Sequence, residues 1–279
     1  MTPETKANSI PPPNEESLLK RTTFHEMRDH KVCQTNLGDV ISELEEAIKN
    51  PENNNAVLLY NPARIINSIL AGKVECDRDQ TLRYRFEALI VPSVEMAISV
   101  YKEEKDALSK LKELNSLIDY SNLDSLRLRA VIEKPDELKI QAFTTERTKT
   151  AVNHLKSITK GNPVLFLSFA NGGTGPGLYD FVEYTKQTGR KDSTFYPIRF
   201  EHSLHDRLPK VSSSEIDWLK KQAEGKQVTV FNDHSVSGAT IGIGIPYVRE
   251  IIFGRCKKEG RFLEVIPLTN DPDRQRRHI

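Results

Sequence analysis

The apolar residues in the first half of this chain recur mainly at helical spacing, three or four positions apart. That pattern predicts helices over residues 37–48, 62–70 and 93–118. The asparagine-rich stretch at 50–55 ends the first of them, and 56–60 is a short apolar strand or the start of the next helix. Residues 127–133 and 138–143 flank a Lys-Pro-Asp-Glu turn, which predicts a hairpin.

The second half has a different pattern, in which continuous apolar runs alternate with amphipathic segments. The apolar runs predict strands at residues 163–169, 195–200, 228–231 and 262–267. The amphipathic segments predict helices at residues 148–158, 178–185 and 240–253. Strands that are apolar on both faces and alternate with helices indicate an α/β fold with a parallel sheet. We therefore predict a disordered tail at 1–21, a mainly helical region at 22–145 and an α/β domain at 146–279.

Composition and charge limit the classes of function. Of the 279 residues, 37% are hydrophobic and 28% are charged, and the net charge is +1, as in soluble globular proteins. A charge so close to zero does not predict a broad surface for nucleic acid or for a membrane. Cys33, Cys76 and Cys256 form no CxxC pair, so neither a zinc site nor a disulfide framework is predicted. The polar N-terminus is unlike a secretory signal, and we expect a cytoplasmic protein.

The first candidate for chemistry is a glycine-rich segment, Asn-Gly-Gly-Thr-Gly-Pro-Gly, at residues 171–177. It follows a predicted strand and precedes a helix, which is where α/β folds bind ligands. Its glycines leave main-chain N–H groups accessible to an anion. The spacing does not match the dinucleotide GxGxxG, because Leu178 takes the place of the third glycine, and it does not match a Walker A loop. The alternative is a turn that only packs a helix closely against the sheet.

The second candidate covers residues 228–240, with the sequence VTVFNDHSVSGAT. A strand runs into an acid, Asp233, and a loop of small and hydroxyl residues then leads into a helix. Main-chain N–H groups at the helix N-terminus, together with the hydroxyls of Ser235, Ser237 and Thr240, suit a phosphate. Asp233 suits two sugar hydroxyls or a Mg²⁺-bound water. The alternative, a strand–turn–helix with a capping serine, leaves the Asp-His-Ser run unexplained.

In combination, the two segments resemble the type I phosphoribosyltransferase family. That family's signature has four apolar residues, two acids, three variable positions, Thr-Gly, a variable position and Thr, and residues 228–240 are similar to it. Gly172 and Gly173 match the family's Gly-Gly loop after the first core strand, and residues 201–226 match its mobile, charged lid. The resemblance extends over roughly residues 145–267 and implies a phosphoribosyltransferase-like parallel sheet flanked by helices.

The resemblance also implies a ligand, 5-phosphoribosyl 1-diphosphate with Mg²⁺, and transfer of its phosphoribosyl group to an acceptor with release of diphosphate. Asp233 and Asn232 would be the catalytic pair at the ribose hydroxyls, with Asp233 also at the metal. The 5′-phosphate would be bound by Ser235, Val236, Ser237, Gly238, Ala239 and Thr240. The diphosphate would be bound by Gly172, Gly173 and Thr174 and covered by Arg199, His202 and Arg207. The alternative for the lid is an ordinary hydrophilic surface loop.

Two departures from the signature leave other functions open. Asn232 replaces the first acid, and Val236 occupies a position where some family members have an acid that assists proton transfer to or from a purine. The second hypothesis is therefore a non-catalytic sensor of phosphoribosyl diphosphate or a nucleotide, with the same fold. Its N-terminal helices would bind a protein partner or another copy of the chain. A dinucleotide-binding oxidoreductase that uses residues 171–177 as its phosphate loop is the third hypothesis, and the acceptor of the first is unidentified.

Overall fold

The N-terminal region is helical, as its apolar spacing predicts. The computed structural model describes residues 18–22, 36–76, 79–118, 144–170, 173–199, 211–232, 239–254 and 266–269, with the main chain alone at 232, 239–242 and 266–269. Helices in this region are α1 (Leu18–Arg21), α2 (Leu37–Lys49), α3 (Asn55–Glu75), α4 (Gln80–Tyr101) and α5 (Ala107–Leu117). A 3-10 turn at Pro51–Asn53 separates α2 from α3, where the asparagine-rich break is predicted. Residues 56–60 are therefore the start of a helix and not a strand.

The prediction of one helix over residues 93–118 is wrong, because a turn at 102–106 interrupts it. Within that turn Glu103 adopts a left-handed conformation, with φ of 55°. The Ser99 hydroxyl donates to the Glu104 carboxylate at 2.6 Å, and the Glu104 amide donates to the Ser99 carbonyl at 2.9 Å. These two bonds close the turn. The apolar spacing continues across it, so periodicity alone does not reveal the break.

The predicted disordered tail at 1–21 is wrong for its last 4 residues, which form α1. Leu18 and Leu19 are buried there. The Leu19 amide donates to the hydroxyl of Tyr179, in the second half of the chain, at 3.3 Å. Residues 1–17 and the predicted hairpin at 127–143 lie outside the described part of the chain.

The second half is α/β with a parallel sheet, as predicted. Its described strands are β1 (Val164–Ala170), β2 (Thr194–Arg199), β3 (Gln227–Asn232) and β4 (Ile266–Thr269). Its described helices are α6 (Thr145–Thr159), α7 (Thr174–Thr188), α8 (Ser213–Ala223) and α9 (Ala239–Tyr247), and α9 continues as a π-helical turn at Val248–Ile252. These strands pair in the order β2-β1-β3-β4, and each pairing is parallel. Strand β1 is buried along its whole length, which explains its unbroken apolar sequence.

Helix α8 corrects the prediction of a lid over residues 201–226. The Ser212 hydroxyl accepts from the Glu215 amide at 3.2 Å, and the Glu215 carboxylate accepts from the Ser212 amide at 2.8 Å. This reciprocal capping box starts the helix. Leu219 is buried and belongs to the core, so the second half of the predicted lid is a packed helix and not a loop. Residues 200–210 lie outside the described part of the chain.

One hydrophobic core runs through both halves of the chain. Helices α3 and α4 pack against α7 and also against β2, which lies at one edge of the described sheet. Between α7 and the sheet, an aromatic cluster is formed by Phe166, Phe181, Phe195 and Phe231. Among the described helices, none has the length and apolarity that crossing a membrane requires.

Candidate functional site

The strand order places both predicted ligand segments at one edge of the sheet. Strands β1 and β3 are neighbours and parallel, with Ser168 opposite Phe231, so their carboxyl ends lie side by side. The chain proceeds from β1 to β2 on one side of the sheet and from β3 to β4 on the other side. This change of direction is a topological switch point, and open α/β sheets bind ligands there, outside the carboxyl ends of the strands. The glycine-rich segment follows β1, and the Asp233 segment follows β3.

The turn from β1 into α7 is held by hydrogen bonds within the protein. The Gly173 amide donates to the Phe169 carbonyl at 3.1 Å, and the Ser168 hydroxyl donates to the Gly173 carbonyl at 2.7 Å. The predicted contact between the Gly173 amide and a diphosphate does not fit this geometry, because the amide already has a partner. Gly172 lies outside the described residues.

Gly177 has a packing role, which is the alternative given above for this segment. A Cβ atom at this position would lie 2.6 Å from Cδ1 of Phe231 and 3.0 Å from Oγ of Ser168. Such distances are too short for carbon against either atom. The missing side chain therefore lets the first turn of α7 lie directly on the ends of β1 and β3, which brings the helix N-terminus to the sheet edge.

Thr174 contacts a residue that sequence reasoning missed. Its side chain is fully buried, and its hydroxyl donates to Oδ1 of Asn67 at 2.7 Å. Asn67 lies on α3, in the helical half of the chain. A direct contact from the Thr174 hydroxyl to a diphosphate does not fit this arrangement, since that hydroxyl is directed at α3. Asn67 is a polar residue in the apolar run of α3 and lies one turn from buried Ala63 and Ala71. Its position on that buried face was the signal that could have singled it out.

Arg199 ends β2 beside the glycine-rich segment, opposite Ala170 of β1. It is half-buried, and its Nη1 donates to the main-chain carbonyl of Asn67 at 3.2 Å. Burial lowers the pKa of the guanidinium, while the negative charge of Glu75 opposes that change. Because the group remains charged at neutral pH, it is a cation held near the sheet edge. Among the described residues, no carboxylate forms an ion pair with it.

The second predicted segment is described only at its two ends. Asn232 is the last residue of β3, and its main chain pairs with Thr269 of β4. Ala239 and Thr240 form the first turn of α9, so a helix begins after β3 as predicted. The remaining predicted site residues lie outside the described part of the chain; they are His202, Arg207, Asp233, Ser235, Val236, Ser237 and Gly238.

The predicted metal position depends on Asp233, which is one of those residues. Within the described ranges, no group of three or more His, Cys, Asp and Glu side chains could hold a metal ion. Mg²⁺ in phosphate sites is commonly held by one or two carboxylates together with the phosphates themselves. The magnesium site therefore stays a prediction.

A second cluster of charged groups lies away from this edge, around Glu215 at the start of α8. Lys73 Nζ lies 2.6 Å from both carboxylate oxygens of Glu215, and the Tyr196 hydroxyl donates to the same carboxylate. Burial lowers the pKa of Lys73, against the attraction of Glu215, and raises the pKa of Tyr196. All three side chains are shielded from solvent, so the cluster connects α3, β2 and α8 and presents no reactive group to a substrate.

Comparison with known proteins does not identify a family for this chain. No family model, curated protein or solved structure matches the chain. Any functional assignment therefore rests on the residues themselves and on the sheet that positions them.

Proposed function

We propose that this protein binds 5-phosphoribosyl 1-diphosphate at the carboxyl edge of its sheet and transfers the phosphoribosyl group to an acceptor, releasing diphosphate. One observation carries the proposal. The two segments that resemble the phosphoribosyltransferase loops follow β1 and β3, which are adjacent parallel strands at the switch point. Two anion-binding segments at neighbouring strand ends suit a ligand that has a phosphate at one end and a diphosphate at the other.

The proposal assigns each segment a role. The 5′-phosphate is bound by residues 235–240, whose last two residues begin α9, because the main-chain N–H groups and the dipole at a helix N-terminus favour an anion. The ribose hydroxyls are bound by Asp233 and Asn232. The diphosphate lies nearer β1 and β2, where Gly172 and the Arg199 guanidinium receive it, with His202 and Arg207 as further cations.

The chemistry needs positioning and charge stabilisation more than a nucleophilic side chain. As diphosphate leaves, positive charge develops at the anomeric carbon and negative charge develops on the leaving group. Arg199 stabilises the leaving group, and bound Mg²⁺ would neutralise part of the same charge. Holding the ribose between two anion subsites keeps the anomeric carbon in line with the incoming acceptor.

A sensor without catalytic activity is the second candidate, and two observations favour it. Asn232 provides no charge where the signature has an acid. In addition, helix α3 of the N-terminal region contacts both Thr174 and Arg199, so a ligand at the sheet edge would act directly on the helical region.

The dinucleotide hypothesis fits the strand order less well. In the common dinucleotide-binding order, 3-2-1-4-5-6, the third strand lies beside the second strand. Here β3 lies beside β1. The described strands follow the other doubly wound arrangement, which does not favour the dinucleotide hypothesis.

The test is isothermal titration of the full chain with Mg²⁺ and phosphoribosyl diphosphate, comparing the wild type with Asp233→Asn. We expect Asp233→Asn to weaken binding by about tenfold or more, because it removes the charge that holds the ribose hydroxyls and the metal. Asp217→Asn, on the exposed side of α8, is the matched control and should bind like the wild type.

Three outcomes separate the hypotheses. Binding followed by diphosphate release with some acceptor in a panel of heterocycles supports the transferase. Tight binding without release in any mixture supports the sensor. If the wild type does not bind the ligand, both fail, and a rise in melting temperature with NAD or NADP would then favour the dinucleotide hypothesis.

A further inference from the structure

One residue of helix α3 contacts two polar side chains at the carboxyl edge of the sheet, those of Thr174 and Arg199. Asn67 accepts from the Thr174 hydroxyl through its side chain, at 2.7 Å, and from Arg199 Nη1 through its main-chain carbonyl, at 3.2 Å. Thr174 is the first residue of α7, and Arg199 is the last residue of β2. A single residue from the helical region therefore contacts both elements that meet at the sheet edge.

The Arg199 guanidinium is held in a way that leaves it able to bind an anion. A guanidinium carries five N–H donors, and the contact with Asn67 uses one of them. Among the described residues, Arg199 has a neutral carbonyl as its hydrogen-bond acceptor and no carboxylate within ion-pair distance. The negative charge of Glu75 acts on it from farther away, so its N–H groups are incompletely satisfied. A phosphate oxygen is a suitable further acceptor, since phosphate accepts two parallel N–H bonds from arginine.

We propose that Asn67 is a positioning residue for the diphosphate end of the site: its side chain fixes the N-terminus of α7 through Thr174, while its main chain orients Arg199. This inference rests on the proposed phosphoribosyl diphosphate site and adds a residue from outside the family-like half of the chain. The N-terminal helices are accordingly part of the ligand site and not only a cover for the sheet. Asn67 itself touches no ligand and acts through its two neighbours.

The experiment measures the dissociation constants of inorganic diphosphate and of Mg-phosphoribosyl diphosphate for Asn67→Ala, Thr174→Val and the double variant. Each single substitution should weaken diphosphate binding by about tenfold, because the N-terminus of α7 loses the hydrogen bond between Thr174 and Asn67. Since both remove the same hydrogen bond, the double variant should bind no more weakly than either single one. Additive losses, or wild-type affinity in Asn67→Ala, would overturn the proposal.

A matched control on the same helix is Asn61→Ala. Asn61 is fully buried, donates to Glu43 at 2.8 Å and accepts from Arg64 at 2.8 Å, so its loss destabilises α3 away from the site. We expect a lower melting temperature with unchanged diphosphate affinity. An equal loss of affinity in Asn61→Ala would show that Asn67 acts only through the stability of α3, which contradicts a positioning role.

Two further variants separate failure of this inference from failure of the proposed function. Arg199→Ala removes the cation and should weaken diphosphate binding more than Asn67→Ala does. Asn67→Asp keeps an acceptor for Thr174 but places a negative charge beside Arg199, and its loss of affinity should diminish as salt is added. If the wild type binds neither probe, the proposed function fails. If Arg199→Ala weakens binding and both Asn67 variants bind like the wild type, only this inference fails.

Discussion

Gly177 shows how one missing side chain positions the candidate site. Its α-carbon lies so close to β1 and β3 that any larger residue would collide with Phe231 and Ser168. We expect Gly177→Ala to lower the free energy of unfolding by about 1–3 kcal/mol, the usual cost of overpacking a core. Phe231→Leu should relieve part of the collision, so that the double variant loses less stability than the two single variants summed. Chemical denaturation of the four proteins measures this coupling.

The control for that cycle is Gly189→Ala. Gly189 ends α7 with φ of 68° and has open space around it, so an added methyl group meets no neighbour. The left-handed conformation alone should cost about 1 kcal/mol. A coupling between Gly189→Ala and Phe231→Leu equal to that of Gly177→Ala would contradict the steric explanation.

Sequence reasoning succeeded at residue scale where the signal was local and failed where the partner was distant. The glycine-rich segment joins β1 to α7 as predicted, and Gly177 packs that helix closely against the sheet, while ligand binding by the segment stays a prediction. The Gly173 amide donates to Phe169 and the Thr174 hydroxyl donates to Asn67, and sequence reasoning anticipated neither contact. Asn67 is separated from Thr174 by 107 positions, and no periodic pattern in the chain reports a contact over that separation.

At the scale of elements, the buried strands were the most predictable part of the fold. β1 follows from an unbroken apolar run and β3 from a run of strand-forming residues, Val-Thr-Val-Phe, since both faces of a parallel strand are covered. Helix α8 was missed because its surroundings are polar. It nevertheless carries a local start signal, Ser212 followed three positions later by Glu215, which is a capping-box sequence. The break between α4 and α5 depends on a turn whose residues look like an ordinary charged helix face.

The cap on α8 gives a prediction at this scale. Ser212→Ala should lower the free energy of unfolding by about 1 kcal/mol, because the Glu215 amide loses its acceptor at the start of the helix. The Ser212 hydroxyl also donates to Glu87 of α4 at 3.0 Å, which adds to the loss. Ser213→Ala, at the neighbouring exposed position, should change stability by less than about 0.5 kcal/mol. Urea denaturation distinguishes the two, and equal losses would count against the capping explanation.

At the scale of the whole molecule, the charged cluster of Lys73, Glu215 and Tyr196 is a buried polar connection between the two halves. Lys73→Met leaves the buried Glu215 carboxylate without its cation, and we expect a loss of about 3–5 kcal/mol in the free energy of unfolding. Adding Glu215→Gln removes the negative charge while keeping an oxygen for Tyr196, so the double variant should regain much of the loss. Thermal and chemical denaturation measure both effects.

A surface ion pair provides the comparison for this cycle. Lys49 and Glu45 lie on α2 at 2.9 Å, with the lysine side chain 45% exposed. Lys49→Met should cost much less stability than Lys73→Met, because solvent screens an exposed pair. If Lys73→Met lowered the free energy of unfolding no more than Lys49→Met does, the buried cluster would not stabilise the contact between the two halves.

The packing of α3 and α4 on α7 and β2 also has a consequence for how the protein is made. The ribosome synthesises these two helices before residues 174–199. Their apolar faces are therefore uncovered until α7 and β2 have been made. Contacts between such distant parts of a chain form slowly, and uncovered apolar faces promote aggregation in the meantime. We therefore expect a translational pause before residue 174 to lower the yield of folded protein, because the pause prolongs the exposure of these faces.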